Sequence, residues 1–398
     1  MSKAVCVKHS GFWSIPARTL TLACLLVFMA QMATTVYLPS LPTVMQELAM
    51  TRRATELSIS IFVLGAALPV LFWGAAADRF GRRLPLTLSL GIFISCSVLL
   101  AFCSNGTQLL VLRALQGVAA GGAAIIARII VRDNWSGDEL ARRLSVLLIA
   151  FIAALGGGQF IGGLLSEYSH WQMGFILMGL TGLAILLLMV TLPLEVGRSG
   201  GQRPVMVATY WHILRRPGFL WPAIVGGLGF ATTVTLQEVS PFIMQQGFGL
   251  NVTAFGALGL VVGVAYFTGA MAVNRTVARF GGKRLMQVGT RIVAVTTAAI
   301  MLLWWSDVLI GLSGMTIFIA LYCMTIFGQA VLFPNSMAMA VSDAKEQGAY
   351  AMALCGFLQQ CLAGIAAAGA VFLEHHGLWT MAIALLGLIA WLIVKLRM

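Results

Sequence analysis

Two charged residues lie inside long apolar runs, where each could take part in proton or ligand chemistry. Arg113 lies in "LLVLRALQGVAAGG", and Glu238 is the only acid that we place within a predicted span. A guanidinium stays charged at any working pH, whereas a carboxyl can take up and release a proton. Ionisable side chains inside apolar segments are costly, so they point to a functional site. The alternative explanation for both residues is a side chain that extends to the membrane–water interface and has no functional role.

A second group of charges stands between two apolar runs, in "WGAAADRFGRRLPL". Its charged members are Asp78, Arg79, Arg82 and Arg83. A similar stretch, "ARFGGKRL" at 278–285, occurs 200 residues later and has Ala278 in place of the acid. The pair predicts two copies of one turn, although short basic loops also collect Arg and Gly by coincidence. Internal repeats are typical of secondary transporters.

The composition sets the class of protein that must position these groups. Of 398 residues, 60% are hydrophobic and 10% are charged, which is far from the usage of soluble domains. One membrane-spanning helix needs about 20 apolar residues. The chain therefore predicts an all-helical integral membrane protein in a lipid bilayer. The net charge of +12 is better explained by membrane orientation than by nucleic-acid binding.

The apolar runs predict twelve helices. They are expected near 19–38, 57–77, 85–103, 107–131, 144–165, 172–194, 219–243, 254–274, 285–304, 309–333, 349–373 and 377–396. The polar stretch that contains "GRSGGQRP" divides them six and six. We expect an N-terminal six-helix bundle at 1–195, a cytoplasmic linker at 196–217 and a C-terminal bundle at 218–398. Most of the 25 Lys and Arg residues then fall on the side of both termini, which predicts cytoplasmic termini.

Several motifs resemble those of the major facilitator superfamily. "GAAADRFGRRLPL" is similar to the family's loop signature, and Arg113, Gln116 and Gly117 are similar to its R-x-x-Q-G signature in helix four. "ARIIVRD" ends with Arg132 and Asp133, as in many drug exporters. "GGGQFIGG" looks like the antiporter signature of helix five at Gly158, Gly162 and Gly163. "VYLPSLP", "SPFIMQQGFGL" and "VLFPNSMAMA" are most similar to the Bcr/CflA-type multidrug exporters.

The resemblance implies a fold, an activity and a set of roles. It implies a multi-pass protein of the bacterial inner membrane that exports drug-like or amphiphilic small molecules against inward proton flow. Arg113 and Glu238 would supply the proton coupling or cavity charge. The cytoplasmic gate network would consist of Asp78, Arg79, Arg82, Arg83, Arg128, Arg132 and Asp133. The substrate cavity would include Gln31, Thr34, Tyr37, Gln116, Thr233, Gln237, Tyr322 and Gln329.

The chain departs from the family pattern at two positions. Gln159 stands where the helix-five signature has Pro, so the bend must come from Gly156 to Gly158 or be absent. Thr35 stands where many relatives carry an acid in helix one. The missing acid leaves open which group carries the proton. It also keeps a facilitator, an importer or a dedicated exporter of a metabolite, sugar or metallophore as alternatives.

Other activities lack the residues that they would need. No Walker A motif, zincin helix or nucleophile elbow occurs, so we expect neither ATP driving nor an enzyme. His375 and His376 form an adjacent pair without further ligands, so no metal is expected there. We expect no cofactor, no nucleic-acid partner and a monomer whose partners are a small-molecule substrate and protons.

Overall fold

The structure is a computed structural model that describes residues 15–135, 137–192, 206–343, 348–373 and 377–398. Within them the chain is helical and contains no strand. The helices are α1 Ile15–Thr35, α2 Leu41–Glu47, α3 Arg52–Ala67, α4 Val70–Phe80, α5 Arg83–Ala101, α6 Gly106–Asn134, α7 Gly137–Tyr168, α8 Gln172–Val190, α9 Met206–Leu214, α10 Pro217–Phe242, α11 Val252–Phe280, α12 Gly282–Trp305, α13 Gly311–Ser342, α14 Gly348–Val371 and α15 Leu378–Arg397. A 3-10 turn at Leu38–Ser40 joins α1 to α2, and a π-helical turn at Ile243–Gly247 extends α10.

The described residues contain twelve segments long and apolar enough to cross a membrane, which confirms the predicted number. α1 with α2 forms the first span, α3 with α4 the second, and α5 to α8 the third to sixth. α10 with its π-turn forms the seventh, and α11 to α15 form the eighth to twelfth. We name the end of the bundle where α1 begins and α15 ends the terminal end, and the opposite end the distal end.

Small polar side chains start three of the helices at the distal end. The Oγ1 of Thr51 accepts a hydrogen bond from the backbone N–H of Ala54 at the start of α3. Asn105 and Asn251 do the same for α6 and α11, with distances of 2.9 and 2.7 Å. Such caps satisfy backbone donors that have no partner within the helix. They explain why these spans begin where they do.

The first two spans are not the continuous helices that the sequence predicts. α1 ends at Thr35, and the chain continues through the 3-10 turn, which contains Pro39, into α2. The second span is broken at Leu68 and Pro69, because proline has no N–H for the helical ladder and clashes with the preceding turn. The expected single helix at 57–77 is therefore two helices. The first of them, α3, starts earlier than predicted, at Arg52.

Proline does not break the tenth span. The prediction ended this helix at 333, before Pro334, whereas α13 continues through Pro334 to Ser342. Proline is tolerated in spanning helices, since neighbouring groups satisfy the freed backbone. In the predicted linker, α9 packs Ile213 against Phe219 and Leu354, and residues 193–205 lie outside the described part of the chain.

The spans pack into two groups that meet along two pairs of helices. In the first group α6 packs on α3 and α5, and α1 packs on α7. In the second, α13 packs on α10 and α12, and α14 packs on α10. The groups meet where α7 packs on α11 and where α3 packs on α14. We refer to the groups as the first and second halves.

The two charged stretches found in the sequence form turns of the same geometry. Gly81, after α4, has φ 82° and ψ 170°, and Gly281, after α11, has φ 77° and ψ 153°. This region of backbone space is essentially restricted to glycine. In both turns a phenylalanine directly precedes the glycine, and the guanidinium of the arginine before it stacks on the phenylalanine ring. These pairs are Arg79 with Phe80 and Arg279 with Phe280. The turns are thus two copies of one structure at the terminal end.

Candidate functional site

Glu238 lies where the two halves meet. Its side chain is fully buried in α10, and the hydroxyl of Ser60 on α3 donates a hydrogen bond to its Oε1. The other oxygen, Oε2, is buried and has no hydrogen-bond partner among the described residues. Because the π-turn continues α10 to Gly247, Glu238 lies nine residues from the distal end, or about 13 Å along the axis at 1.5 Å per residue. Glu238 is therefore enclosed by the protein rather than exposed near the end of its helix.

A second buried acid, Glu56, was missed by the sequence analysis. Glu56 lies in α3 and is fully buried, so the expectation that Glu238 is the only acid within a span is wrong. The Nε of Arg52 donates to its Oε1 at 2.9 Å. The guanidinium of Arg52 also stacks on Phe242 of α10, 4.7 Å from the ring centroid. The polar run "TRRATE" hid the start of this helix, although the spacing of Arg52, Glu56 and Ser60 at i, i+4 and i+8 indicates one helical face.

Arg113 is fully buried inside the first half. Its Nη1 donates to the carbonyl oxygen of Ala33 at 2.9 Å and to Oε1 of Gln116 at 2.8 Å. The guanidinium stacks on the rings of Tyr37 and Phe62, 5.0 and 4.3 Å from their centroids. Arginine suits such a site because it combines directed hydrogen bonds with stacking. The site holds one buried positive charge between α1, α3 and α6.

Gln116, which the resemblance assigns to the substrate cavity, is also fully buried. Gln116 donates to Oγ of Ser97 on α5 at 2.9 Å, so its amide links two helices of the first half. Tyr37 lies beyond the end of α1, packs against Phe175 and accepts a hydrogen bond from Ser58. In this structure Gln116 and Tyr37 form part of the core of the first half.

The remaining predicted cavity residues lie on α1, α10 and α13. Gln31 and Thr34 of α1 are partly exposed, and Thr34 donates to the carbonyl of Gln31 at 2.7 Å. Thr233 and Gln237 of α10 and Tyr322 and Gln329 of α13 are buried. The amide of Gln329, oriented to satisfy both groups, donates to Gly229 O and accepts from Phe230 N, both at 3.1 Å. Gln31 and Thr34 are therefore the accessible members of this set.

The glycines of the fifth-span motif lie on two different faces of α7. A Cβ at Gly158 would collide with the hydroxyl of Thr35, and one at Gly162 would collide with the carbonyl of Val36. Both glycines thus allow close packing on α1 within the first half. A Cβ at Gly163 would lie 2.9 Å from the Cα of Gly256 on α11. Gly163 therefore allows close contact between the halves.

The two departures from the family pattern also take part in packing. Thr35 donates to the carbonyl of Ala154 on α7 at 2.9 Å, so a neutral contact occupies the position of the absent acid. Gln159 lies in a continuous α7 and donates to the carbonyl of Phe255 on α11 at 2.9 Å. The side chain of Gln159 fills the space that Gly259 leaves open.

The predicted gate network is present in part at the terminal end. The Nε of Arg82 donates to Oδ2 of Asp133 at 2.7 Å, and its Nη1 donates to the carbonyl of Ala77. Arg132 reaches Oδ1 of Asp133 at 3.3 Å from an exposed position. The side chain of Asp78 lies outside the described part of the structure. Arg79 and Arg83 are exposed and Arg128 is partly exposed.

Contacts between the halves run from the middle of the spans to the distal end. Phe151 packs on Tyr266 near the middle, and Gln159 and Ser60 reach the second half further along. At the distal end Gln245 donates to the carbonyl of Pro39 at 2.9 Å, and the guanidinium of Arg53 stacks on Phe372. The structure therefore represents a state that is closed on the distal side.

No group of three metal-ligating side chains occurs in the ranges that the structure describes. The pair His375 and His376, considered from the sequence, lies outside those ranges.

Twelve spans in two halves, joined at the distal side around a buried acid, define a membrane transport protein of the two-bundle type. The chain belongs to the Major Facilitator Superfamily, whose model matches residues 23–368. It is 27% identical over 340 residues to the uncharacterized transporter YdgK of Bacillus subtilis (strain 168), covering 83% of this chain and 82% of the relative. It is 24% identical over 381 residues to multidrug resistance protein D of Escherichia coli (strain K12), with 94% and 95% covered.

A solved structure has the same fold. The D-xylose-proton symporter superimposes with a TM-score of 0.77 at 15% identity, covering 96% of this chain and 98% of that one. Members of the family carry small molecules, generally with proton coupling. The chain is a multi-pass protein of the bacterial inner membrane.

Proposed function

We propose that this protein exports drug-like or other amphiphilic small molecules by alternating access, in exchange for protons that move inward. The observation that carries the proposal is Glu238, an acid fully buried between the halves and bonded to Ser60 of the opposite half. When the halves separate on the distal side, this contact must break and the carboxyl meets water. An acid whose surroundings change with the transport state can take up a proton on one side and release it on the other.

The orientation and the roles of the other residues belong to the same proposal. The Lys and Arg distribution supports cytoplasmic termini, so the distal end would face outward. Arg113 would hold a fixed charge beside the transport path. Gln31, Thr34 and the polar groups of α10 and α13 would contact substrate, and the Arg82–Asp133 pair with Asp78 would act at the cytoplasmic gate.

The similarity to multidrug resistance protein D supports export of lipophilic compounds. The facilitator or importer alternative is favoured by Thr35, which leaves α1 without an acid at that position. We also propose the division into 1–195, 196–217 and 218–398, a monomer, and a protein without enzymatic activity, cofactor or nucleic-acid partner.

The test uses the purified protein in vesicles with an imposed pH gradient and the fluorescent lipophilic cation ethidium as probe. We expect the wild type to move ethidium in exchange for protons, and Glu238→Gln to abolish this proton-driven movement. Glu167→Gln, which changes an exposed carboxyl on α7, is the matched control and should leave transport intact. Unchanged proton-driven transport in Glu238→Gln would contradict the assignment. Ethidium movement that ignores the pH gradient would favour the facilitator.

A further inference from the structure

Two helical faces of complementary polarity meet at the distal contact between the halves. On α3, Arg52, Glu56 and Ser60 are spaced four residues apart and so share one face. On α10, Glu238 and Phe242 are also four residues apart. Arg52 stacks on Phe242, and Ser60 bonds to Glu238, so the two faces run antiparallel at this contact. Glu56 lies between these two contacts on its own face.

These contacts place Glu56 and Glu238, two fully buried carboxyl groups from opposite halves, at the same helix–helix contact. Glu56 accepts the hydrogen bond from Arg52, whose side chain remains about one-third exposed. Tyr322 is the buried titratable side chain of α13, which packs on α10. Glu47 of α2 accepts from Trp171 within the first half at 2.6 Å.

The charge balance of this group favours one proton. Two buried like charges strongly oppose each other, and the Nε of Arg52 bonds to Glu56 rather than to Glu238. Glu238 also has a buried oxygen without a hydrogen-bond partner in the described structure, which a neutral carboxyl tolerates better than a carboxylate. A proton shared by Glu56 and Glu238 removes the repulsion between two carboxylates. The pKa values of the two acids then belong to the pair and not to either residue.

We infer that Glu56 and Glu238 form a carboxyl pair that holds one proton while the distal side is closed, and that loss of this proton drives α3 away from α10. Glu56 is thus a second coupling residue, contributed by the opposite half, and Ser60 is a positioning residue that orients Glu238. The inference rests on the proposed proton coupling, because it locates that coupling in a contact that opens and closes.

The proton balance follows from the geometry. The pair takes up one proton from water when the distal side is open, and the neutralised pair then permits closure. Release of the proton toward the terminal side leaves two carboxylates facing each other, with Arg52 bound to one of them. This state favours the next distal opening. The coupling therefore needs no acid on α1, where Thr35 makes a neutral contact.

The experiment that tests the carboxyl pair measures the conformation of the protein and not its transport activity. A negative result for the pair is therefore distinct from a negative result for the proposed export function. Spin labels are attached to the full chain at Gln46→Cys and Ser313→Cys, which are exposed positions at the distal ends of the two halves. The native cysteines are replaced by alanine. The distance between the labels is measured in nanodiscs from pH 5 to pH 9, without substrate.

For the wild type we expect the distal-open population to increase as pH rises. Glu56→Gln and Glu238→Gln should each abolish this pH response, and the double variant should behave like either single one. Ser60→Ala should keep a response with a shifted midpoint. Asp307→Asn, an exposed distal carboxyl at a position with φ 55° that Asn tolerates, is the control and should behave like the wild type.

A wild-type response in Glu56→Gln combined with loss of response in Glu238→Gln would overturn the pair, because Glu238 would then act alone. A wild type without any pH response would also overturn it. Thermal unfolding of each variant identifies those that fail to fold, and for these Glu56→Asp and Glu238→Asp, which keep the carboxyl, should restore a pH response. If the pH response is present but vesicles show no exchange of ethidium for protons, the carboxyl pair stands and the proposed export function fails.

Discussion

The side-chain amide of Gln159 donates a hydrogen bond to the main-chain carbonyl oxygen of Phe255, with a nitrogen–oxygen distance of 2.9 Å. Gln159 lies on α7 and Phe255 on α11, so the bond joins the two halves of the transporter. The family signature has proline at this position, and a proline side chain cannot make this bond. The chain therefore has a contact between the halves at a position where the family signature has a helix-bending residue.

Gln159→Ala should weaken distal closure. One hydrogen bond contributes about 1 kcal/mol, so its loss should lower the ratio of distal-closed to distal-open molecules by about fivefold. The spin-label distance between positions 46 and 313 measures this ratio. Gln246→Ala, an exposed distal glutamine, serves as the control. An unchanged ratio in Gln159→Ala would show that this bond does not differ between the two states.

Gly162→Ala should destabilise the first half. Its new Cβ would collide with the carbonyl of Val36, the residue that follows α1, and such overpacking costs about 1–3 kcal/mol. We expect a lower thermal unfolding temperature for the purified protein. Gly157→Ala is the matched control, because nothing lies within 4 Å of its Cβ and alanine favours a helix. Equal unfolding temperatures for the two variants would contradict the close packing of α7 on α1.

The sequence was sufficient for the number of spans and for the repeated turn. Each long apolar run can be recognised from its own sequence without reference to the others. The Phe-Gly pairs before Arg82 and Lys283 indicate a turn whose backbone conformation requires glycine. It was sufficient also to place Glu238 within the seventh span, since an acid in an apolar run is easily recognised. These features depend on local composition alone.

The sequence was not sufficient for contacts between helices. The start of α3 was missed because its polar first turn resembles a loop, and Glu56 was lost with it. The stacking of Arg113 between the rings of Tyr37 and Phe62 was also not predicted. The pairing of α7 with α11 cannot be read from one chain, so the partner of Gln159 could not be predicted. Each of these depends on which helices become neighbours.

The pair formed by Arg82 and Asp133 should stabilise the turn between α4 and α5. Their side chains are about one-tenth exposed, and a charge-assisted hydrogen bond of this kind contributes about 2 kcal/mol. Arg82→Gln and Asp133→Asn should each lower stability, and the double variant should lose less than the sum of the two. The measurement is a double-mutant cycle on thermal unfolding.

The control for this cycle is Arg132→Gln. Arg132 is 43% exposed and 3.3 Å from Asp133, so its removal should cost under about 1 kcal/mol. Strict additivity of the Arg82 and Asp133 variants would mean that the two residues stabilise the protein independently.

Arg113→Lys should not be a conservative change. A lysine ammonium cannot reproduce the directed bonds to Ala33 and Gln116 together with stacking on two rings. We expect a loss of stability of about 2 kcal/mol and slower ethidium export from vesicles. Arg291→Lys, at an exposed position on α12, is the control and should behave like the wild type. A stable Arg113→Lys protein with normal export would show that only the positive charge is needed.

The break at Pro69 divides the second span into two separate rods. The distal rod, α3, carries Glu56 and Ser60, and the terminal rod, α4, leads into the turn at Gly81. Because no continuous helix joins the rods, a tilt of one is not transmitted as a rigid lever to the other. A helix broken in this way can tilt at its distal part while its terminal part keeps its position.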